Sequence, residues 1–160
     1  VQHILDGLSY YLAESLSKRC GRLVIEASDG IPVQAGGIYL AKSGKHMLLR
    51  SVDNRLQIGL TDGPPEKGCK PAVDVFLRSA AIIYGSSLVA AILTGMGEDG
   101  SDGVREVKRS GGYIIAQDEE SSVVWGMPRA AVATGLVDLI LPLDRIADRI
   151  LRMVNQDVTG

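Results

Sequence analysis

The chain has 160 residues, with 17 Lys+Arg against 19 Asp+Glu, a formal net charge of −2, and 46% hydrophobic but only 4% aromatic residues. That length suits one domain with a two- or three-layer core and leaves little room for a second. A near-neutral balance with interspersed signs argues against a surface built to neutralise phosphates or anionic lipid, so nucleic acid binding and membrane insertion are set aside. The longest apolar runs, Leu88 to Leu93 and Leu136 to Leu141, are too short for a spanning helix. Two cysteines, Cys20 and Cys69, make no disulfide scaffold and have no metal-ligand spacing; they suit a reducing compartment, and a cytoplasmic protein without cofactor or metal is expected. The sequence begins at Val1 rather than Met, on an apolar-polar stretch with no capping or turn signal, which suggests that an N-terminal part is missing.

In chain order, Leu8, Leu12 and Leu16 stand four apart between Asp6 and Cys20, which predicts an amphipathic helix capped by Asp6 or Ser9. From Leu23 to Leu60, short β-rich runs (LVIEA, IYLA, HMLLRSV, RLQIGL) are separated by Asp29-Gly30, Gly36-Gly37, Ser43-Gly44 and Asp53-Asn54. Those are hairpin signals and predict an antiparallel section. Thr61 to Pro71, with three prolines and two glycines, reads as a surface loop. A helical period then runs through Val73, Phe76, Leu77, Ala80, Ala81 and Tyr84. Leu88 to Thr94 reads as a strand buried on both faces. A glycine-rich loop follows, then a helix from Asp102 to Arg109, a strand Tyr113 to Gln117, a short helix after Pro128 and a strand Val137 to Leu141. A last helix from Pro142 to Asn155 follows, with Leu143, Ile146, Ala147, Ile150, Leu151 and Val154 at helical spacing. The alternation predicts an α/β fold, doubly wound around a mostly parallel sheet, with an antiparallel hairpin section.

In open α/β sheets ligands collect beyond the carboxyl ends of strands, which directs attention to the residues after Leu93 and Gln117. Thr94 to Gly103 holds four glycines, a composition that lets backbone amides approach a ligand at a helix N-terminus. Four readings remain open. A phosphate cradle lacks the Lys-Ser/Thr pair and would meet Glu98, Asp99 and Asp102. A divalent-cation site would use the same carboxylates, but without EF-hand spacing. Ser101 and Asp102 as plain helix caps would explain themselves but not the glycines. A triad would need a histidine, either His46, read as a surface or strand-end residue, or His3, at the end of a first strand.

Several blocks then coincide in order: Gln2-His3-Ile4, Glu26-Ala27 with Asp29-Gly30, Gly37-Ile38-Tyr39-Leu40-Ala41, His46-Met47, Val73-Asp74-Val75-Phe76, Leu93-Thr94-Gly95-Met96-Gly97-Glu98-Asp99-Gly100, Ala116-Gln117-Asp118 and Gly126-Met127-Pro128-Arg129-Ala130-Ala131. Together they resemble the catalytic domain of the chemotaxis protein-glutamate methylesterases, the CheB family. The resemblance implies a Rossmann-like serine hydrolase that removes methyl esters from glutamyl side chains of methyl-accepting chemotaxis receptors, with glutamine deamidation in some members. It implies His3 as base, Asp99 as the orienting carboxylate, the backbone N–H of Met96 as oxyanion donor, and Gln117, Met127 and Pro128 as residues shaping the substrate cleft. It implies no cofactor.

The sequence departs from the family at one place. The family's serine lies in a glycine-rich turn after an earlier strand, upstream of the Gln-His motif, and nothing here corresponds to that first strand-helix unit or to a preceding receiver domain. Ser9 and Ser15 fall on the first helix, and Ser86, Ser87, Ser101, Ser121 and Ser122 in blocks matching non-nucleophilic positions. No nucleophile is assigned, so the isolated chain is expected to be essentially inactive. The gap in the sheet would be filled by the missing N-terminal segment or by exchange in a homodimer. The rival reading is a non-catalytic receptor-binding or scaffolding module that keeps the esterase fold.

Overall fold

The first helix, α1, spans Ser9–Cys20 in the computed structural model, which describes residues 1–156. Its expected leucine stripe is not what it buries. Leu8 and Leu16 are exposed and Leu12 half-buried, while Ser9 and Ala13 lie inside. A serine is accommodated there because its Oγ accepts the Ser43 N–H at 2.9 Å and donates to the Glu26 carboxylate, so the buried hydroxyl keeps its hydrogen bonds. Neither Asp6 nor Ser9 caps the helix, since Leu8 holds the N-cap position without a side-chain bond.

Strand β1 (Val24–Glu26) pairs with β2 (Ile38–Leu40) in parallel, Val24 opposite Ile38 and Glu26 opposite Leu40, where a hairpin was expected. The intervening segment explains the difference. Instead of turning back, it runs along a later strand, with Gly30 N–H on Ile58 O, Ile58 N–H on Ile31 O and Val33 N–H on Leu56 O, each 2.9 Å. Asp29 fastens this crossing, its carboxylate accepting the Leu60 N–H and pairing with Arg50, both at 2.9 Å. Those bonds hold its carboxyl below the ordinary carboxylate range, the Leu60 N–H contributing most.

The antiparallel expectation holds for β3 (His46–Val52) and β4 (Arg55–Thr61), joined through Asp53 and Asn54. Both turn residues have positive φ, 49° and 59°, as a two-residue type I′ hairpin requires. Helix α2 (Val73–Tyr84) buries Leu77, Ala80 and Ala81 at the expected spacing, together with Asp74. These elements belong to a compact unit, Val1–Ile83.

A second unit, Tyr84–Gly160, alternates strand and helix: β5 (Val89–Ile92), α3 (Ser101–Arg109), β6 (Tyr113–Gln117), α4 (Gly126–Ala133), β7 (Leu139–Leu141) and α5 (Leu143–Gln156). Its three strands are parallel in the order β5-β6-β7. Burial on both faces belongs to the central strand β6, where Ile114, Ile115, Ala116 and Gln117 are all fully buried. On the edge strand β5, only Ala90 and Ile92 are buried and Ala91 is exposed, which corrects the expectation for that run. A strand with one neighbour in its sheet has less to cover it.

Helix α4 starts two residues before Pro128 rather than after it, and β7 starts at Leu139 rather than Val137. Proline is accepted in the first helical turn because no intrahelical acceptor awaits an N–H there. Of the apolar series on α5 only Ile146 is buried, whereas Leu143, Leu151 and Val154 are exposed. Among the described residues, no helix is long and apolar enough to cross a membrane.

Candidate active site

The predicted groups are distributed over both units. In the first, His3 is half-buried, with its Nδ1 3.8 Å from the Sγ of Cys69. Cys69 closes a tight turn: Cys69 N–H donates to Glu66 O at 2.8 Å and Glu66 N–H to Cys69 O at 3.1 Å, with Lys67 and Gly68 at φ of 49° and 77°. Positive φ at both central positions is natural for glycine and uncommon for lysine, so contacts from outside the turn must help hold it. Lys67 pairs with the buried Asp74 at 2.9 Å, and Glu66 pairs with Arg78, both partners on α2.

His46 is not the surface residue that its strand-end position suggested. It is 2% exposed. Its Nε2 lies 2.9 Å from the Pro64 carbonyl and its Nδ1 accepts the Ala72 N–H at 3.1 Å. Because a carbonyl only accepts and an amide N–H only donates, these partners select the Nε2–H tautomer. One imidazole thereby ties both ends of the loop that presents Cys69. No motif marked this strut, because a buried histidine and a surface histidine at a strand end look alike in sequence.

In the second unit the glycine-rich loop leaves β5 and enters α3. Thr94 N–H donates to Gln117 Oε1 at 2.8 Å, Gly95 N–H to Val124 O at 3.0 Å, and Ser101 N–H to Glu98 O at 3.2 Å. With these amides already engaged, the phosphate-cradle reading loses three of its donors. Gly100, at φ 98°, holds the N-cap position of α3. Asp99 is 1% exposed. Met96 is 80% exposed, and no hydrogen bond to its backbone N–H is made by the described residues.

Three residues named for the cleft support this loop from beneath. Gln117 is fully buried; besides receiving the Thr94 N–H, its Nε2 donates to Ser121 O at 2.8 Å and its carbonyl accepts the Trp125 indole N–H at 3.2 Å. Met127 N–H donates to Gly95 O at 2.8 Å, and Pro128 is buried beside it. The close packing of α4 on the loop needs glycine at position 126: a Cβ there would stand 2.8 Å from Gly95 O and 2.9 Å from Gly97 N, both backbone. Above these supports opens a cleft of about 800 Å³ lined by Met96, Gly97, Glu98, Trp125, Arg129 and neighbours. Trp125 and Arg129 were not singled out as site residues from the sequence. A smaller cavity of about 360 Å³ lies between Tyr113 and three arginines of α5, and none of the predicted site residues lines it.

A buried carboxylate, a half-buried imidazole and an exposed loop amide are the group types that general-base acyl transfer uses. Residues 1–150 match the family model described as CheB methylesterase. The chain belongs to the CheB methylesterase family. It is 43% identical over 156 residues to the "Protein-glutamate methylesterase/protein-glutamine glutaminase" of Rhodopseudomonas palustris (strain BisB5), covering 98% of this chain and 40% of that protein. The so-named protein of Haloarcula marismortui is 42% identical over 160 residues, 99% of this chain and 43% of its own length. The chain thus spans about two fifths of the curated relatives it matches. The crystal structure of the Thermotoga maritima CheB methylesterase catalytic domain superposes with a TM-score of 0.92 at 37% identity, covering 95% of this chain and 80% of that one. The α/β architecture expected from the sequence is the fold of that CheB domain.

Proposed function

We propose that this chain is the larger part of a protein-glutamate methylesterase catalytic domain acting on glutamyl methyl esters, and on glutamine amides, of chemotaxis receptors. The observation that carries the reading is its 43% identity, over 98% of the chain, to a protein named for both activities. In this reading a serine from a segment outside these 160 residues is the nucleophile. A strand from that preceding segment, or one exchanged in a homodimer, adds to an open edge, as β1 and β5 each have one strand neighbour among the described residues.

His3 accepts the serine proton as the oxygen attacks the ester carbonyl. Asp99, already desolvated, holds the imidazole in the tautomer and orientation that this transfer needs. The Met96 N–H donates to the oxyanion of the tetrahedral intermediate, a role open to an amide that has no hydrogen-bond partner among the described residues. Collapse of the intermediate expels methanol, which takes the proton from His3, and water then hydrolyses the acyl-enzyme to the free carboxylate by the same base. Amide substrates release ammonia in place of methanol. Gln117, Met127 and Pro128 shape the cleft by holding the loop that carries Met96 and Asp99.

The test is methanol release from methyl-esterified receptor by the full-length protein. His3→Ala is expected to lower turnover on the order of 10⁶-fold and Asp99→Asn on the order of 10⁴-fold, with near-native circular dichroism. Unchanged turnover in either variant would refute the role given to that residue. A full-length protein that binds receptor without releasing methanol or ammonia would instead favour the scaffolding module.

A further inference from the structure

The two cysteines of this chain occupy different chemical settings. Cys20 lies at the exposed end of α1, where its Sγ approaches the Arg22 carbonyl at 3.5 Å. Cys69 is half-buried, and its Sγ stands 3.8 Å from the His3 Nδ1 and 3.8 Å from the Lys67 carbonyl. The turn that presents it is closed by two reciprocal backbone bonds, pinned to α2 through Lys67–Asp74 and Glu66–Arg78, and tied at both flanks by His46. The thiol is therefore held at a defined place, 3.8 Å from the imidazole.

A thiol becomes a nucleophile when it loses its proton, and an adjacent imidazole is a standard acceptor and counter-charge for it. We propose that Cys69 is a nucleophilic thiol activated by His3, and that reaction of its Sγ with a soft carbon electrophile disables the imidazole. The steps balance. In the Nε2–H tautomer of His3, Nδ1 takes the Sγ proton, and a sulfur lone pair attacks the electrophilic carbon; ester hydrolysis uses the other tautomer. With a haloacetamide the carbon–iodine bond breaks and iodide leaves with its electron pair, giving a thioether and a proton that the imidazole returns to solvent. The consequence for catalysis rests on the methylesterase reading. If Nε2 of His3 serves as base, Nδ1 is the nitrogen that an orienting carboxylate must hold, and a substituent on Sγ crowds that same nitrogen.

The experiment uses the full-length protein and iodoacetamide at pH 7, with the labelling of each cysteine followed by peptide mass spectrometry. Cys69 is expected to label about tenfold faster than the more exposed Cys20, and His3→Gln to bring the Cys69 rate down to that of Cys20 without changing the latter. Equal or slower labelling of Cys69 in the unsubstituted protein overturns the proposal, and this comparison needs no variant to fold. Methanol release is expected to fall in step with Cys69 labelling and to resist the reagent in Cys69→Ser. Full turnover after complete labelling, or inhibition that persists in Cys69→Ser, overturns the disabling step. The labelling ratio is independent of the methylesterase reading, so failure there and failure of esterase activity are separate results.

Discussion

The two units place their candidate groups by opposite means. In Val1–Ile83, the loop beside His3 is held by side chains that reach across sequence to backbone or to opposite charge: His46 on Pro64 and Ala72, Lys67 on Asp74, Arg78 on Glu66. In Tyr84–Gly160, the loop carrying Met96 and Asp99 also has side-chain support from Gln117, but there backbone packs on backbone, with Gly95 bonded to Val124 and Met127 and Gly126 pressed against Gly95 and Gly97. The first arrangement fails when a side chain is removed; the second is in addition broken when one is added.

His46→Ala should show the largest effect on the side-chain-held region. It leaves the buried Ala72 N–H without its partner, at a cost of about 1–3 kcal/mol, releases the Pro64 carbonyl, and opens a cavity; a loss of about 3 kcal/mol in urea unfolding is expected. The same variant should slow the labelling of Cys69 and leave that of Cys20 unchanged. A loss below about 1 kcal/mol would mean that the loop does not depend on the imidazole.

Gly126→Ala probes the backbone-held region. Alanine gains up to about 1 kcal/mol of helix propensity in α4, but a Cβ under 3.0 Å from two backbone atoms costs about 3 kcal/mol because neither can rotate away. A net destabilisation of about 2 kcal/mol is expected by thermal unfolding, with a larger proportional fall in turnover as the Met96 amide shifts. A neutral or stabilising result would show that the loop gives way freely and would erase the contrast between the units.

The smallest effect concerns pH. The carboxyls of Asp29 and Asp62 lie below their ordinary value, Asp29 chiefly through the Leu60 N–H and Asp62 chiefly through its hydrogen bond to Lys45. A depressed folded pKa contributes stability that is present above the unfolded value and is lost as pH falls through the folded one. Urea midpoints should therefore decline below about pH 4, and Asp29→Asn should flatten that decline slightly, since both groups are exposed. A steeper decline in the variant would contradict the sign.

Several elements were legible because their signal is local. The hairpin β3–β4 follows from Asp53-Asn54, whose residue types tolerate positive φ, and α2 from a helical apolar period that the folded unit does bury. The parallel pairing of β1 with β2 was not legible, because it depends on the Gly30–Val33 segment bonding to β4, a contact spanning more than twenty residues. The leucines of α1 misled for a related reason. Spacing marks one face of a helix, but burial there went to Ser9 and Ala13, where Glu26 and Ser43 supply partners for a hydroxyl.

The family and the types of group that could serve in catalysis were readable from the ordered motif blocks, which record local backbone requirements such as glycines at Gly97, Gly100 and Gly126. Only the folded chain revealed that His46 is a buried strut, that Gln117 is buried and bonded to the loop, and that Cys69 lies against His3 across 66 positions of sequence. The division has a physical cause. Turn conformation and periodicity are properties of neighbouring residues, whereas a hydrogen bond between distant side chains exists only after the chain has closed the loops that bring them together.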